Sequence, residues 1–124
     1  MTNSKKKKTL ILGASENPSR YSHLALLRLQ SHQHPVVAIG KHKGMVGNTI
    51  IETEKKGWKD VDTVTIYLNP LNQKEYYDYI LSLKPQRIIF NPGAENEELA
   101  ELATTKGIQP VEACTLVMLS TNQY

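Results

Sequence analysis

The chain has a single cysteine, Cys114, so no disulfide can form within it, a composition in keeping with a reducing compartment. No stretch approaches the roughly 20 consecutive apolar residues that span a bilayer, and the first residues lack the apolar core of a secretory signal. A soluble, cytoplasmic protein with no membrane partner is expected. The histidines His23, His32, His34 and His42 show no spacing with cysteine or acidic residues that would make a zinc site. No pattern pairs an activated nucleophile with a base and a third orienting residue, so no catalytic residue is named. Cys114 is flanked by Ala113, Leu116, Val117 and Met118, which marks it as a buried structural thiol rather than a reactive one.

A basic folded surface is lacking too. The formal net charge is +3, but Lys5 to Lys8 lie in one run ahead of the first apolar segment, and setting these four aside leaves −1 for the rest. That balance argues against a nucleic-acid partner, whose phosphate backbone needs a concentrated positive face. Residues 1–7 read as a basic, flexible, solvated tail. Residues 8–124 read as one domain, long enough for a core and too short for two.

What is present centres on Thr9 to Arg20. Leu10, Ile11 and Leu12 form the continuous apolar run of a strand covered on both faces, and Gly13 lets the chain turn sharply. Ser15, Asn17 and Ser19 are placed to cap the helix that follows. Unpaired N–H groups at a helix start attract phosphate, and Arg20 adds a forked cationic donor. The turn therefore reads as a pyrophosphate site.

Ser22 to Gln30, with Leu24, Leu26, Leu27 and Leu29, has the pattern of a first helix, ended by His34-Pro35. Val36 to Ile39 makes a second buried strand closed by Gly40. In a nicotinamide-binding βαβ unit the second strand ends near an acid that bonds the ribose 2′-hydroxyl. Here the position offers Gly40, Lys41, His42 and Lys43, which disfavours plain NAD and favours a ribose carrying an extra phosphate, as in NADP or coenzyme A. Gly40 to Asn48 is read as a flexible basic loop. In Thr49 to Asp60, Ile50-Ile51 is a short extended piece and Trp58 covers the edge of the core.

Asp62 to Leu68 is β-branched and partly alternating, a third strand ended by Asn69-Pro70. Asn72 to Lys84 is a second helix broken by Pro85, and its tyrosines Tyr76, Tyr77 and Tyr79 are read as packing, not as a base-stacking platform. Arg87 to Phe90 is a fourth strand running into Asn91-Pro92-Gly93-Ala94. Glu95 to Lys106 is a third helix, with acids toward its start and Gly107 at its end. Ile108 to Val111 is a fifth strand, and Ala113 to Leu119 folds back as a brief helix. The order predicts a three-layer α/β domain with a mostly parallel five-stranded sheet, its strand ends lining one crevice.

These residues resemble the family of small, stand-alone CoA-binding proteins, whose Rossmann-like domain is similar to the CoA-binding domain of the succinyl-CoA synthetase alpha subunit. The likeness runs from about Lys8 onward. It rests on Gly13-Ala14-Ser15 through Asn17-Pro18-Ser19-Arg20 and Ser22, on Val61-Asp62 leading to Asn69-Pro70, on Asn91-Pro92-Gly93-Ala94 with Asn96-Glu97-Glu98, and on Ala113 to Leu116. The resemblance implies that Gly13, Ala14, Ser15 and Arg20, with Asn17 beside them, meet the CoA diphosphate. It further implies that Gly40, Lys41 and Gly44 receive the 3′-phosphorylated ribose, that Leu68, Asn69 and Pro70 flank the adenine or its linker, and that Asn91, Pro92 and Gly93 border the pantetheine. Relatives usually run from the second strand into Asn-Pro, where this chain has Gly40-Lys41.

The expectation is a non-catalytic binder of coenzyme A or a short acyl-CoA, serving as carrier, sensor or partner module. The alternatives are an NADP-dependent reductase-like domain and the nucleotide-binding subunit of a CoA ligase whose catalytic chain is separate. A protein partner or a homodimer is left open.

Overall fold

The computed structural model describes residues 5–124. At its centre lies β1 (Thr9–Ala14), whose Leu10 and Leu12 point to one side of the sheet and Ile11 to the other, as the two-residue period of a strand requires. The first side holds the larger core, with Ile80, Leu99 and Ala103 from α3 (Tyr77–Leu83) and α4 (Glu97–Thr105). On the other side Leu26 and Leu29 of α1 (Tyr21–Ser31) pack with Leu119 of α5 (Thr115–Ser120). Helices on both faces of one sheet give the expected three layers. Burying each such leucine or isoleucine contributes about 1.5–3 kcal/mol.

The sheet has seven strands rather than five, in the order β3-β4-β2-β1-β5-β6-β7. The other strands are β2 (Val36–Gly40), β3 (Gly44–Val46), β4 (Thr49–Glu52), β5 (Thr63–Ile66), β6 (Arg87–Phe90) and β7 (Gln109–Glu112). All neighbours run parallel except β3 and β4. These two are the additional strands: the segment expected as a flexible loop forms a hairpin, and Ile50-Ile51 lies in β4 beside β2. Three- and four-residue strands are too short to show a period, but Gly47-Asn48 carries the local signal. Val46 faces Thr49 across this two-residue turn, and Gly47 adopts φ +59°, a first-position glycine suited to a tight hairpin.

The second helix is also divided. Asn69 caps a short α2 (Pro70–Gln73) by accepting the Asn72 N–H at 2.9 Å, a single tighter turn covers Lys74–Tyr76, and α3 completes the segment. Lys84 leaves the helix in the left-handed conformation at φ +51°, a common way for a helix to end, and the following Pro85 disfavours its continuation. Tyr76, Tyr77, Tyr79 and Trp58 pack against the larger core, as read from the sequence. At the β7 edge, Gln109 and Ala113 donate to Gln86 and Phe90 carbonyls at 3.0 and 3.2 Å, so Pro110 between them faces its ring nitrogen outward.

Of residues 1–7, expected as a basic, flexible tail, residues 1–4 lie outside the described residues. Lys6 Nζ donates to the His32 carbonyl at 2.9 Å, and the Lys7 N–H donates to His34 Nδ1 at 2.9 Å.

Candidate functional site

From β1 the chain first fills the sheet outward through β2, then returns to place β5 on the other flank of β1. This reversal opens a crevice beyond the carboxyl ends of β1 and β5, where ligands bind in such sheets. A cleft of about 850 Å³ lies there. Gly13, Ala14, Ser15, Asn17 and Arg20 line it from the first loop, Lys41 from the second, Leu68 and Asn69 from the third, and Pro92 and Gly93 from the fourth.

Gly13 takes φ +92°, and a Cβ on it would sit 3.1 Å from the backbone carbonyl of Tyr67, so only glycine fits without strain. The turn after it is self-supporting. Ser15 Oγ accepts the Asn17 N–H at 3.0 Å, Asn17 Oδ1 accepts both the N–H and the hydroxyl of Ser19 at 3.0 and 2.8 Å, and His23 Nδ1 meets the Ser15 carbonyl at 3.0 Å. These side chains were expected to cap α1 and instead bond one another. The N-cap residue is Arg20, which supplies no side-chain bond, so the first-turn N–H groups of Tyr21 and Ser22 have no side-chain cap. An open helix start is an anion receptor. Arg20 and Lys41 add cations among the lining residues, with His42 beside them, and the one ion pair among the described residues, Lys56 with Glu52 at 3.9 Å, lies elsewhere.

Four other expected site residues, Gly40, Gly44, Pro70 and Asn91, do not line the cleft. Gly40 is buried at the end of β2, where any Cβ would overlap the Ala14 carbonyl. Gly44 opens β3 against the side chain of Glu16. Pro70 starts α2. Asn91 is buried, donating to Thr65 Oγ1 at 2.7 Å and the Ile66 carbonyl at 2.9 Å and accepting the Thr115 N–H at 2.9 Å.

Glu16, Tyr67 and Asn72 also line the cleft and were not read from the sequence as site residues. Tyr67 packs on the α1 side of the core. Its hydroxyl is buried without a hydrogen-bond partner among the described residues, and burial raises its pKa above the ordinary phenol value, so it stays neutral. Behind the third and fourth loops, Gln73 Nε2 donates to the Leu68 and Ala94 carbonyls, each at 2.8 Å. Asn96 Nδ2 donates to Gln73 Oε1 at 2.9 Å and to the Tyr77 hydroxyl at 2.8 Å. A glutamine in a polar stretch reads as surface, so nothing in the sequence marked this link. Among the described residues no cluster of His, Cys, Asp and Glu could hold a metal ion, and no helix is long and apolar enough to cross a membrane.

A mostly parallel sheet with helices on both faces and a cleft at its switch point define a Rossmann-like domain. Residues 7–120 match the CoA binding domain family, and the chain belongs to that family. The crystal structure of an uncharacterized protein is similar, with 53% identity, a TM-score of 0.94, and coverage of 97% of this chain and 99% of that one. A Thermus thermophilus protein shares the fold at 18% identity and TM-score 0.83, covering 96% of this chain and 91% of that one. A hypothetical protein from Pyrococcus horikoshii OT3 does so at 20% and 0.84, covering 94% and 84%. Among curated proteins no match is found.

Proposed function

We propose that the chain binds coenzyme A or a short acyl-CoA in the switch-point cleft and acts as a carrier, sensor or partner module without catalysing a reaction itself. One observation carries this reading: the uncapped start of α1, with Arg20 as its N-cap, opens into the same cleft as Lys41 and His42. The first-turn N–H groups and Arg20 receive the diphosphate, and the basic loop takes the phosphate on the ribose. Leu68 and Asn69 flank the adenine or its linker. Gly93, at φ +94° with nothing within 4 Å of where a Cβ would stand, leaves bare backbone for the pantetheine. Membership of the CoA binding domain family supports the ligand class. Gly40, Gly44, Pro70 and Asn91 serve the site by shaping its loops.

Isothermal titration with CoA, dephospho-CoA, NADP and NAD at two salt concentrations tests the reading. Selective binding of CoA is expected, weakened by salt. Binding of NADP alone, or of none of the four, overturns it.

A further inference from the structure

Glu16 sets an acid inside a loop otherwise built to attract phosphate. Its Oε2 accepts the N–H of Met45 at 2.8 Å, a bond that joins the first ligand loop to the start of β3. In the hairpin Met45 lies one step beyond the Val46–Thr49 pair that flanks the turn, so its N–H points away from β4, toward the open edge of the sheet. Glu16 takes up that outward donor. Gly44 permits the approach, since a Cβ there would stand 2.6 Å from Glu16 Oε2.

The loop Lys41-His42-Lys43 is thereby held at both ends by the phosphate turn. Gly40 is pressed against the Ala14 carbonyl on one side, and Met45 is tied to Glu16 on the other. Lys41 and His42 line the cleft between these two anchors.

We infer that Glu16 is a positioning residue that fixes the basic loop over the cleft and so sets selectivity for ligands with a phosphate monoester on the ribose. The inference rests on the proposed binding of CoA. The carboxylate acts on the basic loop through the Met45 N–H. An exposed cationic loop without this tether spends its charge on water, and pre-ordering it is what converts charge into discrimination.

The test compares CoA with dephospho-CoA in the full chain. Glu16→Ala is expected to cut the ratio of CoA to dephospho-CoA affinity by about tenfold. Lys41→Ala should do the same, and the double variant should lose little more than either alone. Glu16→Gln, whose amide oxygen can still accept from Met45, should restore most of the preference. An unchanged preference in Glu16→Ala, or a loss in Glu16→Gln equal to that in Glu16→Ala, overturns the inference. Exchange of the Met45 amide gives a readout that needs no ligand: slow in the parent chain and in Glu16→Gln, fast in Glu16→Ala. Equal exchange in all three overturns the tether. A parent chain that binds neither CoA nor dephospho-CoA would instead overturn the binding proposal.

Discussion

Asn91 Oδ1 accepts the backbone N–H of Thr115 at 2.9 Å, fastening the end of β6 to the start of α5 inside the protein. The same side chain donates to Thr65 and Ile66, so its removal strands several buried polar groups at once. Asn91→Leu is expected to cost about 3 kcal/mol in urea denaturation, and a loss under 1 kcal/mol would show that water or rearrangement replaces the carboxamide.

Arg20 is exposed and has no ion-pair partner among the described residues, so its loss should spare the fold. Arg20→Ala is expected to raise the CoA dissociation constant about tenfold with the melting temperature unchanged. Titration and thermal melts on one preparation decide this, and unaltered affinity would remove Arg20 from the diphosphate site. Gly13→Ala should behave differently. Its φ of +92° and the nearby Tyr67 carbonyl make it cost about 1–3 kcal/mol of stability as well as affinity.

Lys41→Glu replaces attraction with repulsion at the position proposed for the ribose phosphate. CoA affinity should fall at least about tenfold, and dephospho-CoA affinity much less. Equal losses for both ligands, measured by titration, would place the extra phosphate elsewhere.

His34 supplies a pH dependence remote from the cleft. Its Nδ1 accepts the Lys7 N–H, so the ring carries no proton there, and the ring lies 4.9 Å from that of Tyr124. Burial first, then the charges of Lys6, His32, Lys7 and Arg87, hold its pKa down from 6.5 to about 4. Above the higher value the ring is neutral both folded and unfolded. As pH falls from 6.5 toward 4 the unfolded chain binds a proton that the folded chain refuses, so stability drops through that window and levels off below it. Solvent screening of this half-exposed ring limits the loss to about 1–2 kcal/mol. Melting curves across the window should show the decline in the parent chain and a flatter profile in His34→Gln; parallel profiles would exclude His34 as the source.

The strand–turn–helix at Gly13 and the order of the later elements were legible because they depend on long apolar runs, on Gly13 and Gly107, and on Pro85. The hairpin was not, because Gly44 to Glu52 has too few residues for a period and its polar loop masked the Gly47-Asn48 turn. In the cleft, residues that meet it through local backbone geometry, such as Ser15 and Leu68, could be anticipated from the strand ends. Glu16 could not: its role depends on Met45, and only the folded hairpin brings the two together. The same holds for Gln73, which looks like helix surface in sequence yet is fully buried between two loops.

Pro110 and the brevity of β3 have a consequence for crowded solutions. A sheet border with free N–H groups in sequence can recruit a strand from another molecule. At the β7 border Pro110 presents a nitrogen with no hydrogen, and at the β3 border the strand runs only from Gly44 to Val46, with the Met45 N–H already engaged. Both borders make poor templates for growth, so crowding should drive neither runaway strand addition nor fibres through this sheet.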